Sequence, residues 1–136
     1  MTELPVRAGT LDDWSGISRV LTTAFHEVWD EQADRVERGV FEPERSLLVT
    51  DGDQVVGHAA AYTRQLSVPG GVVPAAHVTM VGVLPTHRRR GLLTRLMHRQ
   101  LAEVPAPVAV LWASEGAIYP RFGYGMAAAR LAFVVD

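Results

Sequence analysis

The sequence predicts one α/β domain over residues 1–136, with a mixed central β-sheet flanked by helices. Three observations support this fold class. The length of 136 residues suits one domain with a real core and is too short for two ordinary domains. Helical and strand-like apolar patterns follow one another in the order β-α-α-β-β-β-α-β-α-β. Residues 108–112 are apolar without alternation, which is typical of a central, often parallel strand buried on both faces.

The spacing of apolar residues predicts each element in turn. The elements are a strand at 6–8, helices at 14–28 and 31–38, strands at 46–50, 54–66 and 72–83, a helix at 88–104, a strand at 108–112, a short helix at 114–121 and a last strand at 131–135. The helices are predicted from apolar residues at spacings of three and four, and the strands are predicted from β-branched or alternating runs.

Turn and capping residues separate these elements. Asp12 and Asp13 precede the first helix, where acidic side chains suit the positive end of the helix dipole. Asp51-Gly52-Asp53 between two strand-like runs is typical of a β-hairpin. Pro69-Gly70-Gly71 makes the next turn, and Pro105 stops the helix at 88–104.

Composition excludes several classes of protein. Cysteine is absent, which excludes disulfides, thiolate metal sites and a cysteine nucleophile. All 13 basic residues are Arg, so neither a Schiff-base lysine nor a P-loop lysine is present. Neither a membrane-spanning apolar run nor a signal peptide is visible, and we therefore expect a soluble cytoplasmic protein without membrane association.

The net charge of −2 conceals a strong asymmetry along the chain. Residues 1–53 carry 12 acidic residues and five Arg, for −7, whereas residues 54–102 carry six Arg and no acid, for +6. A positive middle segment indicates an anionic partner, either a nucleic acid or a phosphorylated small molecule.

Residues 81–93 carry the clearest chemical signal: Val-Gly-Val-Leu-Pro-Thr-His-Arg-Arg-Arg-Gly-Leu-Leu. The pattern predicts a strand, a basic turn and the start of a helix. A helix start has unpaired backbone N–H groups and a positive dipole end, and Gly91 leaves room for close approach to the backbone. Three Arg side chains beside this positive dipole end are unfavourable unless an anion is bound. The pattern therefore favours a bound anion, best a phosphate or pyrophosphate.

This segment resembles the acetyl-CoA-binding motif of the GCN5-related N-acetyltransferases (GNAT). The family pattern Gln/Arg-x-x-Gly-x-Gly/Ala reads Arg88-x-x-Gly91-x-Leu93 here. The departure at Leu93 is similar to the Eis (enhanced intracellular survival) acetyltransferases. Residues 112–125, Trp-Ala-Ser-Glu-Gly-Ala-Ile-Tyr-Pro-Arg-Phe-Gly-Tyr-Gly, form a second motif that resembles the same subgroup.

The resemblance implies an N-acetyltransferase that uses acetyl-CoA as co-substrate and no metal. The backbones of Val81 and Val83 would pair with the pantetheine arm like an added strand. Ser114 would lie beside the same arm. The pyrophosphate would be held by the turn at Arg88, Arg89, Arg90, Gly91, Leu92 and Leu93.

The resemblance also implies direct attack of a primary amine on the thioester, with Tyr119 as the general acid that protonates the leaving thiolate. Tyr124 is the rival tyrosine, and we expect it to pack. An acidic base often stands at the strand position of His77. His77 either replaces that base or is a satisfied strand residue, and a period of two places it on one face with Val81 and Val83. His58 is expected to be structural.

The acceptor is expected to be a small-molecule or peptide amine, such as an aminoglycoside-like polyamine or a lysine side chain. In this family the end of the first helix lines the acceptor pocket, which makes Trp29 and Asp30 candidates for substrate binding. Aromatic residues there also serve as core. The acidic first half of the chain suits a cationic amine.

Eis proteins are about three times longer, carry two further domains, form hexamers and use their terminal carboxylate as base. The chain is therefore either a fragment or a stand-alone relative, and a homo-oligomer is possible by resemblance. The alternative function is a CoA-binding module that needs other domains for turnover. A nucleic-acid binder is disfavoured, because three of the six Arg share one turn and the whole chain is slightly acidic.

Overall fold

The computed structural model describes residues 2–135 and confirms an α/β architecture with a five-stranded mixed sheet. The strands are β1 (Val6–Ala8), β2 (Ser46–Asp51), β3 (Gln54–Val68), β4 (Gly71–Val83) and β5 (Val108–Leu111). The helices are α1 (Trp14–Phe25), α2 (Glu31–Val40) and α3 (Leu92–Glu103). The strands lie side by side in chain order. The first four are antiparallel to their neighbours, and β5 runs parallel to β4.

Helices α1 and α3 cover opposite faces of the sheet. A Cβ placed on Gly82 of β4 would lie 3.3 Å from Ala24 of α1. A Cβ placed on Gly57 of β3 would instead lie 3.5 Å from Leu96 of α3. We therefore call the two sides of the sheet the α1 face and the α3 face.

The core on the α1 face follows from the apolar spacing of the first helix. Its buried residues recur at intervals of three and four: Trp14, Ile17, Val20 and Leu21. Helix α2 lies on the same side, where the indole Nε1 of Trp14 donates to Asp34 Oδ1 at 3.0 Å. α1 ends at Phe25 because His26 takes a left-handed conformation, with φ of 55°.

A β-bulge interrupts the pairing of β3 with β4. Ala60 pairs with Thr79 and His58 pairs with Gly82, so that two residues of β4 stand opposite the single residue between them on β3. One of the two, Met80, has a φ of 52°. A bulge bends its strand and increases its twist.

The bulge overturns one prediction. Because it adds a residue, His77 does not share a face with Val81 and Val83. His77 pairs with Tyr62, which packs on the α1-face core, whereas Val83 lies beside Gly57 on the α3 face. Val81 also contacts the cluster around Met97 of α3. The alternation of side chains between the two faces of the sheet is therefore not continuous along β4.

His58 holds the bulge from inside the α1 face. Its side chain is fully buried, and Nδ1 lies 2.8 Å from the carbonyl oxygen of Met80. Since a carbonyl only accepts, Nδ1 carries the proton and donates. The structural role expected for His58 is thus confirmed. Burial lowers the pKa of His58 to about 4, although the bond to Met80 opposes this shift.

Three further predictions are wrong. Residues 114–121 form no helix, and only Pro120–Phe122 makes a 3-10 turn; Gly116 and Gly123 leave too short a segment for a helix. Residues 131–135 form no strand and are exposed, since they pair with no strand among residues 2–135. β5 is parallel as expected, but it lies at the edge of the described sheet, not at its centre.

The burial of His58 predicts an acid-sensitive fold. Below its ordinary pKa of 6.5 the unfolded chain protonates His58, whereas the folded chain keeps it neutral down to about pH 4. The free energy of unfolding should therefore fall by up to about 3 kcal/mol as the pH drops through this window. Urea denaturation at pH 7.5, 6 and 5 measures it. The change of the free energy of unfolding with pH should become smaller in His58→Asn and stay the same in His98→Gln. An equal pH dependence in all three proteins would contradict the assignment.

Candidate active site

A gap opens between β4 and β5. Their parallel pairing runs from Ala75 with Val108 to Val78 with Leu111, after which β4 continues to Val83 paired with β3 but not with β5. The N–H of Leu84 donates to Val56 O of β3 at 2.9 Å. Because backbone groups alternate in direction along a strand, those of Val81 and Val83 point away from β3 and into the gap. A second extended molecule could pair there.

A basic turn, Arg88–Gly91, lies where β4 leads into α3. Arg89 and Gly91 have φ values of 59° and 74°, and α3 begins at Leu92 and not at Arg88 as predicted. No side chain caps this helix, and a Cβ on Gly91 would meet nothing within 4 Å. The first-turn N–H groups of α3 therefore have no side-chain cap, and three exposed Arg side chains lie beside them.

The two leucines of the motif contribute only their backbone to this site. Leu92 is buried in the core, and the half-buried Leu93 packs against the cluster around Met97. Within residues 2–135, the side chains of Arg89 and Arg90 make no hydrogen bond or ion pair. The arrangement suits an anion with several oxygen atoms, since both the helix dipole and the guanidinium groups attract one.

Tyr119 lies on the α3 face, next to the gap. It packs against the apolar cluster that Val81 of β4 and Leu111 of β5 also contact, and its ring centroid is 5.8 Å from that of Tyr124. Burial, followed by the carboxylate of Glu115, raises the pKa of Tyr119. The phenol therefore stays protonated at neutral pH and can donate a proton.

Tyr124 packs as the sequence predicted. Its hydroxyl is buried without a partner among the described residues, and burial raises its pKa to about 12. Ser114 is exposed in the irregular segment between β5 and Tyr119. The structure thus leaves Ser114 free of the core, on the same segment as Tyr119.

His77 lies on the opposite face from Tyr119. It stands between Tyr62 of β3 and Val110 of β5, and its Nε2 is buried with no hydrogen-bond partner within residues 2–135. An unpaired ring nitrogen can accept a proton or donate one, depending on the tautomer. The structure therefore keeps His77 as a candidate base but moves it to the α1 face.

An acidic cleft of about 440 Å³ opens between α1 and the start of α2. Its lining consists of Ser18, Thr22, Glu27, Val28, Trp29, Asp30, Glu31 and Asp34. Four of these side chains are carboxylates, and none is matched by a basic residue in the lining. A cationic ligand suits such a cleft.

Trp29 and Asp30 both line the acidic cleft, and both have structural partners. The indole of Trp29 stacks on Trp14 at 6.3 Å, and its Nε1 donates to Glu27 Oε2 at 2.9 Å. Asp30 caps α2, because its Oδ1 accepts from the N–H of Ala33 at 2.8 Å. One oxygen of Asp30 is thereby committed to the fold.

The sequence analysis missed three features of this region. Glu27 and Asp34 line the cleft, and only the acidic composition of residues 1–53 signalled them. The bulge at Met80 has no signal in an apolar run of this kind. The contact of His87 with Asp51, 36 residues away, is not local and no spacing rule predicts it.

Two kinds of feature are absent from the described residues. Among residues 2–135 no group of three or more His, Asp or Glu side chains is arranged to hold a metal ion. In the same part of the chain, no helix is both long enough and apolar enough to cross a membrane.

The gap, the basic turn and the tyrosine agree with a family comparison. Residues 5–127 match the model of the acetyltransferase (GNAT) domain. The chain belongs to the GNAT acetyltransferase family. The GNAT fold expected from the motifs is thus confirmed over most of the chain.

Relatives of this GNAT domain are longer proteins. An uncharacterized N-acetyltransferase of Streptomyces avermitilis is 46% identical over 136 residues, covering 96% of this chain and 33% of the relative. N-acetyltransferase Eis of Mycobacterium tuberculosis is 40% identical over 135 residues, covering 93% and 34%. The crystal structure of Eis1 from Mycobacterium abscessus superposes with a TM-score of 0.79 at 40% identity, covering 89% and 31%. The chain thus spans about a third of the length of these relatives.

Proposed function

We propose that this GNAT domain transfers an acetyl group from acetyl-CoA to a primary amine. The observation that carries the proposal is the gap between β4 and β5, which ends at an uncapped, basic helix start. An extended arm with an anion at one end fits both features together. CoA has this shape, because its pantetheine arm leads to a pyrophosphate.

The residues present fit the co-substrate. Val81 and Val83 would pair with the pantetheine arm through their free backbone groups. The pyrophosphate would lie on the first-turn N–H groups of α3, with Arg88, Arg89 and Arg90 around it. Ser114, exposed on the segment that follows β5, would contact the arm.

The reaction is a direct acyl transfer. The nitrogen–carbon bond forms as the amine attacks the thioester carbonyl, and the carbon–sulfur bond breaks. Tyr119 gives its phenolic proton to the leaving thiolate, and its raised pKa keeps that proton available. The nitrogen loses a proton to a base.

His77 is the base that the geometry supports. Its unpaired Nε2 lies on the α1 face, the side on which the acidic cleft also opens. Tyr119 lies on the α3 face. Acid and base would then act from opposite faces of the sheet, with the amine approaching on one face and the thiolate protonated on the other.

The acceptor is a cationic amine. Glu27, Asp30, Glu31 and Asp34 give the acidic cleft its negative charge, and Trp29 offers an aromatic face for a cation. A polyamine of the aminoglycoside kind or a lysine side chain has this chemistry.

A second function is a CoA-binding module that depends on further domains for turnover. Two observations favour it. The chain spans about a third of its relatives' length, and the apolar residues Leu131, Phe133, Val134 and Val135 are each more than 80% exposed. Such residues normally lie against another surface.

Excess acetyl-CoA should raise the melting temperature by several degrees, since a ligand that binds only the folded state stabilises it. Spermine or kanamycin should then release CoA thiol, measured with a thiol-reactive dye. A rise in melting temperature without thiol release for any amine would support only the CoA-binding module. No shift would refute both functions.

Tyr119→Phe should lower kcat about 100-fold and leave the Kd for CoA within about twofold, because the ring stays and only the acid is lost. Tyr124→Phe is the matched control, since its buried hydroxyl has no partner within residues 2–135. Equal kcat values in the two variants would disprove the role of Tyr119.

His77→Gln should lower kcat/KM for the amine about tenfold or more at pH 7. The loss should shrink at pH 9, because a larger fraction of the amine then arrives already deprotonated and the base matters less. Full pH profiles of the variant and of His98→Gln test this. A loss in His77→Gln that is the same at every pH would indicate a packing role.

A further inference from the structure

His87 is buried immediately before the basic turn. Only 11% of its side chain is exposed, although Thr86 and Arg88 on either side are exposed residues. Its Nε2 lies 3.0 Å from Asp51 Oδ2, and its Nδ1 lies 2.8 Å from Thr86 Oγ1. The imidazole thus joins the turn to the hairpin between β2 and β3.

The bond to Asp51 persists whether His87 is neutral or charged. A carboxylate only accepts, so Nε2 carries a proton in either state. In the neutral ring Nδ1 accepts from the hydroxyl of Thr86. In the charged ring Nδ1 donates to the same oxygen, and the hydroxyl rotates. Both ring nitrogens therefore keep a partner.

The basic turn needs an external support. Three adjacent Arg repel one another, and the positive end of the α3 dipole opposes them as well. Arg89 adopts a φ of 59°, which costs free energy for a residue with a side chain. The only side-chain bond of the three Arg within residues 2–135 is a long one, from Arg88 Nε to Val83 O at 3.5 Å.

The hairpin can supply this support because it joins β2 and β3, and each of these strands has a neighbour on both sides. Asp51 ends β2 and pairs with Gln54 of β3. The approach to the turn is tied to β3 as well, since Leu84 N donates to Val56 O at 2.9 Å and His87 N donates to Leu84 O at 2.8 Å. His87 and Asp51 add a side-chain bond to this backbone anchor.

We propose that the His87–Asp51 hydrogen bond is a clamp that holds the basic turn in the conformation that receives the pyrophosphate. The inference rests on the proposed cofactor site and adds His87 and Asp51 to it as positioning residues. Neither side chain touches the co-substrate. Both act through the conformation of Arg88–Gly91.

The test compares Asp51→Ala with Asp53→Ala, which removes the same charge from the same hairpin turn. Asp53 makes no hydrogen bond or ion pair with His87 in the described structure. Amide hydrogen exchange of His87 and Arg95 in the ligand-free protein measures the turn, because their N–H groups donate to Leu84 O at 2.8 Å and to Gly91 O at 3.1 Å on its two sides. Titration calorimetry with CoA and with pantetheine, which lacks the pyrophosphate, measures its consequence.

In Asp51→Ala the amides of His87 and Arg95 should exchange about tenfold faster, and the Kd for CoA should rise about tenfold, since affinity falls with the fraction of competent turn. Exchange in β3 and pantetheine binding should not change. Asp53→Ala should match the wild type. His87→Leu should behave like Asp51→Ala, whereas His87→Gln, whose amide can still donate to Asp51, should recover most of the affinity.

Unchanged exchange at His87 and Arg95 in Asp51→Ala would overturn the clamp, even if CoA binds. An equal loss of CoA and pantetheine affinity would also overturn it, because that pattern marks general destabilisation. If the wild-type protein binds no CoA, the proposed function fails at its first step, and the exchange data then decide the clamp separately.

Discussion

The bulge at Met80 is the constraint on which the rest of the site depends. It is held by one buried hydrogen bond, from His58 to the carbonyl oxygen that the bulge frees from the ladder. The extra residue reverses the face of the sheet to which each later side chain of β4 points. Val81 therefore turns its side chain to the α3 face while His77 remains on the α1 face. A catalytic histidine would thus depend on a structural one.

The acidic and basic segments of the sequence supply two different sites in the structure. The carboxylates of residues 1–53 include those of the cleft between α1 and α2, and three of the six Arg of residues 54–102 gather at the start of α3. A cation and an anion are therefore attracted to different sites. The gap beside β4 is where the two ligands would meet.

Local signals were enough for the elements that bury an apolar stripe, such as α1, and for the hairpin at Asp51-Gly52-Asp53. Motif spacing also placed the basic turn between β4 and α3. Elements whose stability comes from a distant partner were mispredicted: residues 131–135 read as a strand but pair with nothing described. The facing of His77 failed for a related reason, because the bulge depends on a buried contact with β3 and not on the composition of β4.

The opposite placement of His77 and Tyr119 has a kinetic consequence. Two substrates that enter from opposite faces do not block each other's route, so either could bind first and both would have to be present together for reaction. Such an enzyme would follow a sequential scheme through a ternary complex. CoA would then compete with acetyl-CoA but not with the amine, and a covalent acetyl-enzyme would not accumulate.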